Sequence, residues 1–141
     1  MPEERSFVED IAWLRQQGAQ RVFLKTGAYK PAVVAFTMKC ASQAKIDLVT
    51  FDGAGGGTGM SPVPMMNECA TPTVYLLAQV LSCIRILKAK GHYIPDIAIA
   101  GGFVNETQML KAIAMSNLGD GHGPYVKAIA MARAPLTADM K

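Results

Sequence analysis

The sequence predicts an α/β fold of parallel strands alternating with helices, and three observations point to it. Short runs rich in β-branched or aromatic residues, at 21–25, 46–51, 97–100 and 125–131, alternate with segments whose apolar residues recur at helical spacing. Each run leads into a glycine or small residue: Thr26-Gly27, the cluster opening at Gly53, Gly101-Gly102 and Ala132-Arg133. Half of the 141 residues are hydrophobic and 18% are charged, which suits one domain spanning 1–141 with a proper core. Strands separated by helices pair in parallel through right-handed crossovers, and ligands of such folds sit at the carboxyl ends of the strands. The candidate loops therefore share one face.

In chain order, Ser6 with Glu9 gives a capping-box signal, Phe7, Ile11 and Leu14 follow at helical spacing, and Gly18 supplies a stop. Arg21 to Lys25 reads as a short buried strand ended by Thr26-Gly27. Pro31 suits a first helical turn, and Val33, Phe36, Thr37, Cys40, Ala41 and Ala44 fall on one helical face, with Cys40 read as core. Ile46, Leu48, Val49 and Phe51 make the next strand, which Asp52 ends before Gly53. Past the glycine cluster, Thr71-Pro72 is an N-cap and N1 pair for a long helix to Lys90 that buries Leu77, Val80, Leu81, Ile84 and Leu87 and stops at Gly91. Asn105 and Gln108 resemble a capping box opening a helix through Met109, Ala112 and Ile113. Tyr125 to Met131 forms the last strand, with no room after it for a helix of ordinary length.

Composition excludes several classes. The net charge of +3 comes without a Lys/Arg stripe, and Arg85, Lys88 and Lys90 read as the basic end of a helix, so nucleic acid is not an expected partner. Cysteines 40, 69 and 83 are too widely spaced for a disulfide framework or a zinc knuckle, and a cytoplasmic location is expected. The N-terminus lacks a signal-peptide pattern and no apolar run approaches roughly 18 residues, so neither secretion nor a membrane span is expected. His92 and His122 have no companion at ligand spacing, and no metal site is expected.

The chemistry gathers at the glycines. Positions 53, 55, 56, 57 and 59 are all glycine, which lets a ligand approach backbone without meeting a Cβ. A dinucleotide fingerprint fails because Thr58 stands at its third glycine position and Pro62 and Pro64 precede the helix; a P-loop fails for want of Gly-Lys-Ser/Thr. Barrels of the (β/α)₈ type often hold phosphate on the loops after their last two strands. In that arrangement these strands are the last four of eight, backbone N–H groups of Gly102 and Phe103 hold the phosphate, and Arg133 adds a charge-assisted contact or makes a surface salt bridge. Lys25 either points into a ligand site, where an ammonium stabilises a reduced flavin or an oxyanion, or pairs with Asp52 to close the sheet end.

FLKTGAY (23–29), IDLVTFDGAGGGTGMSP (46–62), AGGF (100–103) and PYVKAIAMARA (124–134) together resemble the FMN-binding domain of glutamate synthase. The resemblance implies the C-terminal half of a (β/α)₈ barrel, with FMN at its carboxyl face and reductive formation of L-glutamate from 2-oxoglutarate. It also implies that Lys25 contacts the flavin ring, that Asp52, Gly53, Gly55, Gly56, Gly57 and Thr58 line the flavin and substrate side, and that Gly101, Gly102 and Arg133 hold the FMN phosphate. Lys25 and Asp52 are its catalytic candidates. The cysteine pattern of the glutamate synthase iron–sulfur cluster is absent, and residue 132 is Ala where related sequences often have Gly. A half-barrel leaves two sheet edges and a core face open, so a homo-oligomer or a partner chain supplying the other half is expected. Rival expectations are another FMN barrel oxidoreductase acting on a small oxo or hydroxy acid, and a non-catalytic module for phosphate ligands.

Overall fold

The computed structural model describes residues 3–56, 62–64 and 68–140. Its elements run α1 (Glu4–Gln16), β1 (Phe23–Gly27), α2 (Pro31–Gln43), β2 (Leu48–Asp52), α3 (Thr73–Ala89), β3 (Asp96–Ala100), α4 (Glu106–Met115), β4 (Val126–Ala130) and α5 (Arg133–Asp139). The four strands form one parallel sheet in the order β1-β2-β3-β4. Alternating helices and sequential parallel strands are the architecture of half a (β/α) barrel.

Registers place side chains in rows across the sheet. Leu24, Val49, Ile97 and Val126 form one row, and Thr26, Phe51, Ile99 and Ile129 another. Val49, Phe51, Ile97 and Ile99 are fully buried in one core with Val34 and Met38 of α2 and Leu76, Leu77, Val80 and Ile84 of α3. Crossovers of one hand between neighbouring strands put their helices on one face, so this is the helix-covered side. The other rows, Lys25-Thr50-Ala98-Ala128 and Gly27-Asp52-Ala100-Ala130, lie on the opposite face.

Polar clamps hold the amino ends of the strands. The Asp47 carboxylate accepts from the Val22 N–H at 2.9 Å and from Arg15 at 3.0 Å, and these bonds hold its pKa below the usual carboxylate range. Asp120 accepts from the Lys88 ammonium at 2.8 Å, the Tyr125 hydroxyl at 2.7 Å and the His122 N–H at 3.1 Å, and its pKa is pushed well down, by Lys88 above all. Burial raises the thiols of Cys40 and Cys83.

Several local expectations shift. Ser6 donates to Glu3 O at 2.9 Å from inside α1, whose N-cap is Glu3, because Glu4 already lies in the helix. β1 starts two residues later than expected: the Val22 N–H goes to Asp47, so the ladder with β2 begins at Phe23 and takes in Gly27. Of the expected stripe on α2, Cys40 and Ala41 are buried and Val33, Phe36, Thr37 and Ala44 half-buried, while Val34 and Met38 beside it are the most fully buried. Pro72, not Thr71, is the N-cap of α3, and the core face of α3 is the expected one with Leu76 added. A short helix, α5, follows β4; Pro135 fits its first turn, where an N–H would find no helical acceptor in any case.

Candidate functional site

The carboxyl ends of all four strands open into one cleft of about 1040 Å³. Its lining runs from Lys25 of β1 through Asp52, Ala100 and Ala130, at the ends of β2, β3 and β4, to Arg133 and Leu136 of α5. Alanines floor its middle because Ala100 and Ala130 stand where larger side chains would fill it.

Lys25 and Asp52 meet here. Lys25 Nζ lies 3.1 Å from Asp52 Oδ2; the lysine side chain is 68% exposed and the aspartate 25%. The pair spans neighbouring strands diagonally, since Lys25 is opposite Thr50 and Asp52 is opposite Gly27. Lys25 sits in mid-strand, so its side chain extends along the open face toward the carboxylate.

The glycine turns pack against each other with almost no tolerance. Gly53 donates to Ala100 O at 2.8 Å and extends the β2–β3 ladder, and Gly56 donates back to Gly53 O at 3.0 Å. A Cβ on Gly53 would lie 2.2 Å from Thr73 Oγ1, and one on Gly101 would lie 2.5 Å from Gly53 O and 2.7 Å from Thr73 Oγ1. A Cβ on Gly56 would lie 2.3 Å from Asp52 Oδ1, so that backbone lies directly on the carboxylate. Gly101 and Gly102 take φ of 112° and 75°, values that L side chains rarely adopt.

Thr73 closes this seam. Its hydroxyl is 2.7 Å from Gly101 O and 3.2 Å from Ala54 O, joining the loop after β2, the loop after β3 and the start of α3. Sequence reading passed over Thr73, because its partners lie 19 and 28 residues away and it followed a stronger helix-start signal at Thr71.

Arg133 is the first residue of α5 and donates to the carbonyl oxygens of Gly55 and Gly56. The guanidinium thereby ties the segment behind the last strand to the glycine loop behind the second. The structure thus brings Lys25, Asp52, Gly55, Gly56, Gly101, Gly102 and Arg133 around one cleft, with Gly53 buried in the seam below it. Gly57 and Thr58 lie outside the described residues. Among the described residues, no helix is long and apolar enough to cross a membrane.

Parallel strand–helix units with a cleft at the strands' carboxyl ends are the architecture of half a (β/α) barrel, a fold whose ligand sites usually lie at that end. The chain belongs to the family described as the conserved region in glutamate synthase, which matches residues 3–121. Curated proteins named cobyric acid synthase, from Acidovorax sp. (strain JS42) and Acidovorax ebreus (strain TPSY), are each 28% identical over 122 residues. That alignment covers 85% of this chain and 24% of each relative, so the chain spans about a quarter of their length. No solved structure gives a significant match.

Proposed function

We propose that the chain is part of an FMN-dependent oxidoreductase of the glutamate synthase type, acting in the reductive formation of L-glutamate from 2-oxoglutarate. The observation that carries the reading is a single cleft at the carboxyl ends of four parallel strands, holding a lysine–aspartate pair and two apposed glycine turns.

The lining suits FMN. A cleft of about 1040 Å³ is at the upper end of the roughly 300–1,000 Å³ usual for small-molecule sites. The alanine floor leaves space for a flat ring, Phe103, Met131 and Leu136 add apolar wall, and positive charge comes from Lys25 on one side and Arg133 on the other. Positive φ at Gly101 and Gly102 turns the chain sharply at the end of β3, where backbone N–H groups of Gly102 and Phe103 would hold the phosphate.

When bound, FMN would supply two-electron carriage. The protein's part is electrostatic and positional. Asp52 holds the Lys25 ammonium at the cleft, where its charge stabilises negative charge developing on a ring or an oxyanion. Gly56, packed on Asp52 Oδ1, limits where that carboxylate can turn. Arg133 fixes the glycine loop through the Gly55 and Gly56 carbonyls and brings a second positive charge to the cleft lined by Gly101 and Gly102, where the FMN phosphate would sit.

Titration of FMN with purified protein, followed by flavin fluorescence, tests the reading. Quenching that saturates, and that Lys25→Ala weakens, supports it. No quenching, or binding of inorganic phosphate without preference for FMN, would count against a flavin role and leave a plain phosphate site. Turnover of 2-oxoglutarate with ammonia, against small hydroxy acids, then separates the glutamate synthase reaction from its oxidoreductase rival.

A further inference from the structure

Thr73 is the first residue of α3, yet α3 has no side-chain cap and the Thr73 hydroxyl bonds outside the helix. It donates to Gly101 O at 2.7 Å and to Ala54 O at 3.2 Å, in the loops that follow β3 and β2. Two glycines make the space for it: a Cβ on Gly53 would lie 2.2 Å from Thr73 Oγ1, and one on Gly101 2.7 Å from it. A hydroxyl carries one proton, so the two carbonyls share it, and the nearer, Gly101 O, takes the larger part.

Each of these carbonyls belongs to a peptide whose N–H is that of the next glycine, Gly55 or Gly102. The peptide unit is planar and trans, so its N–H and C=O point opposite ways. Holding Ala54 O and Gly101 O toward Thr73 therefore turns the Gly55 and Gly102 N–H groups away from it, on the side where both glycines line the cleft. The backbone at Gly55 agrees. It is the third residue of a turn closed by the Gly56 N–H on Gly53 O at 3.0 Å, and its φ of 87° marks type II, in which the central peptide is turned over relative to type I.

The two glycines touch. A Cβ on Gly55 would lie 3.0 Å from Gly102 Cα and 3.3 Å from Gly102 N. Among the described residues, neither the Gly55 nor the Gly102 N–H has an acceptor. The Arg133 guanidinium donates to the Gly55 carbonyl, so positive charge stands beside the pair.

We infer that Thr73 is a positioning residue for the phosphate: by holding the Ala54 and Gly101 carbonyls it presents the Gly55 and Gly102 N–H groups, from two different loops, as one paired anion site. The identity of the ligand rests on the FMN reading, whereas the pairing of the amides rests on the geometry of Thr73. Donors fixed in advance need no rearrangement when the anion arrives. Without the hydroxyl both peptides can turn over, since glycine tolerates either orientation. The flavin ring, resting on the alanine floor beside Lys25, does not depend on Thr73.

Fluorescence titration of the full 141-residue chain with FMN, and with riboflavin as the same ring without phosphate, tests the inference. Thr73→Val keeps the shape and loses the proton; Thr73→Ser keeps the proton. Thr73→Val is expected to weaken FMN about tenfold or more, the share of one charge-assisted hydrogen bond, and to leave riboflavin unchanged. Thr73→Ser is expected to bind both as the wild type does. Equal weakening of both ligands by Thr73→Val, no weakening of FMN, or Thr73→Ser as weak as Thr73→Val would overturn the inference. Inorganic phosphate gives a measurement that depends on neither a variant nor a flavin. In the wild type it is expected to move the Gly55 and Gly102 amide resonances together, saturating at one dissociation constant, and a Gly55 amide that stays in place would overturn the inference. Phosphate that moves both amides in a chain that ignores FMN would remove the flavin reading and leave this one standing; FMN that binds with the Gly55 amide unmoved would do the reverse.

Discussion

Substituting Gly101 by alanine tests the seam on which the cleft is built. Two separate penalties act there. The φ of 112° is disfavoured for any side chain, at about 1–2 kcal/mol for a left-handed residue. The new methyl would also lie 2.5 Å from Gly53 O and 2.7 Å from Thr73 Oγ1, and forcing such an overlap into packed structure costs typically ~1–3 kcal/mol. Gly101→Ala is therefore expected to destabilise the fold by about 2–5 kcal/mol, a large part of the total stability of a domain this size. Gly102→Ala is the matched control: its φ of 75° is also left-handed, but its Cβ would meet only Ala54 O and Gly55 Cα, both at 3.7 Å. It is expected to lose only the conformational part, about 1–2 kcal/mol. Urea unfolding of the two variants and the wild type, followed by circular dichroism, gives both numbers. Equal losses for the two variants would refute the packing argument, because backbone strain alone would then account for Gly101.

Other outcomes follow from the same geometry. Lys25→Ala is expected to shift unfolding free energy by no more than about 1 kcal/mol, because an ion pair with a largely exposed lysine contributes little. It is expected to weaken FMN binding about tenfold or more, since a charged contact contributes about 1.5–3 kcal/mol. Thr73→Ala is expected to cost about 1 kcal/mol by removing the hydroxyl that bonds Gly101 O, read in the same urea series. The lowered carboxyl groups of Asp47 and Asp120 set the acid limit. Their stabilisation is complete above the unfolded aspartate value of about 3.9 and is lost as pH falls through their lower folded values. Melting temperature should thus be flat from neutral pH down to about 5 and fall below 4, with a smaller fall in Asp120→Asn. The Lys88 ammonium, raised by Asp120, works in the opposite direction, and its share is lost only as pH rises past its folded value.

How far the sequence revealed this molecule depended on whether a signal was local. The core face of α3 was legible apart from Leu76, because Leu77, Val80, Leu81, Ile84 and Leu87 repeat at the helical period with nothing competing. The cap of α4 was legible too: Asn105 Oδ1 accepts from the Gln108 N–H at 3.1 Å. The return bond went one residue further than expected, from the Val104 N–H to Gln108 Oε1 at 2.7 Å. Where a distant partner decided the outcome, local reading slipped. β1 moved two residues because its register is set by β2 and by the Asp47 carboxylate. On α2 the expected stripe held Cys40 and Ala41 but missed Val34 and Met38, because α3 decides which side packs most deeply. The gathering of strand-end residues around one cleft was legible from topology alone, since parallel strands bring their carboxyl ends together. Thr73 and the contact of Gly56 with Asp52 were not, because each depends on a fit of tenths of an ångström between loops.

The central claim is that FMN occupies the cleft at the strands' carboxyl ends, and amide chemical-shift mapping during FMN titration tests it most directly. The account expects saturating shifts at Lys25, Asp52, Gly55, Gly56, Gly102, Phe103 and Arg133, with Val22, Asp47 and Asp120 at the opposite end unmoved. Shifts confined to the helical face or to the amino ends of the strands would contradict it, as would a spectrum that FMN leaves unchanged.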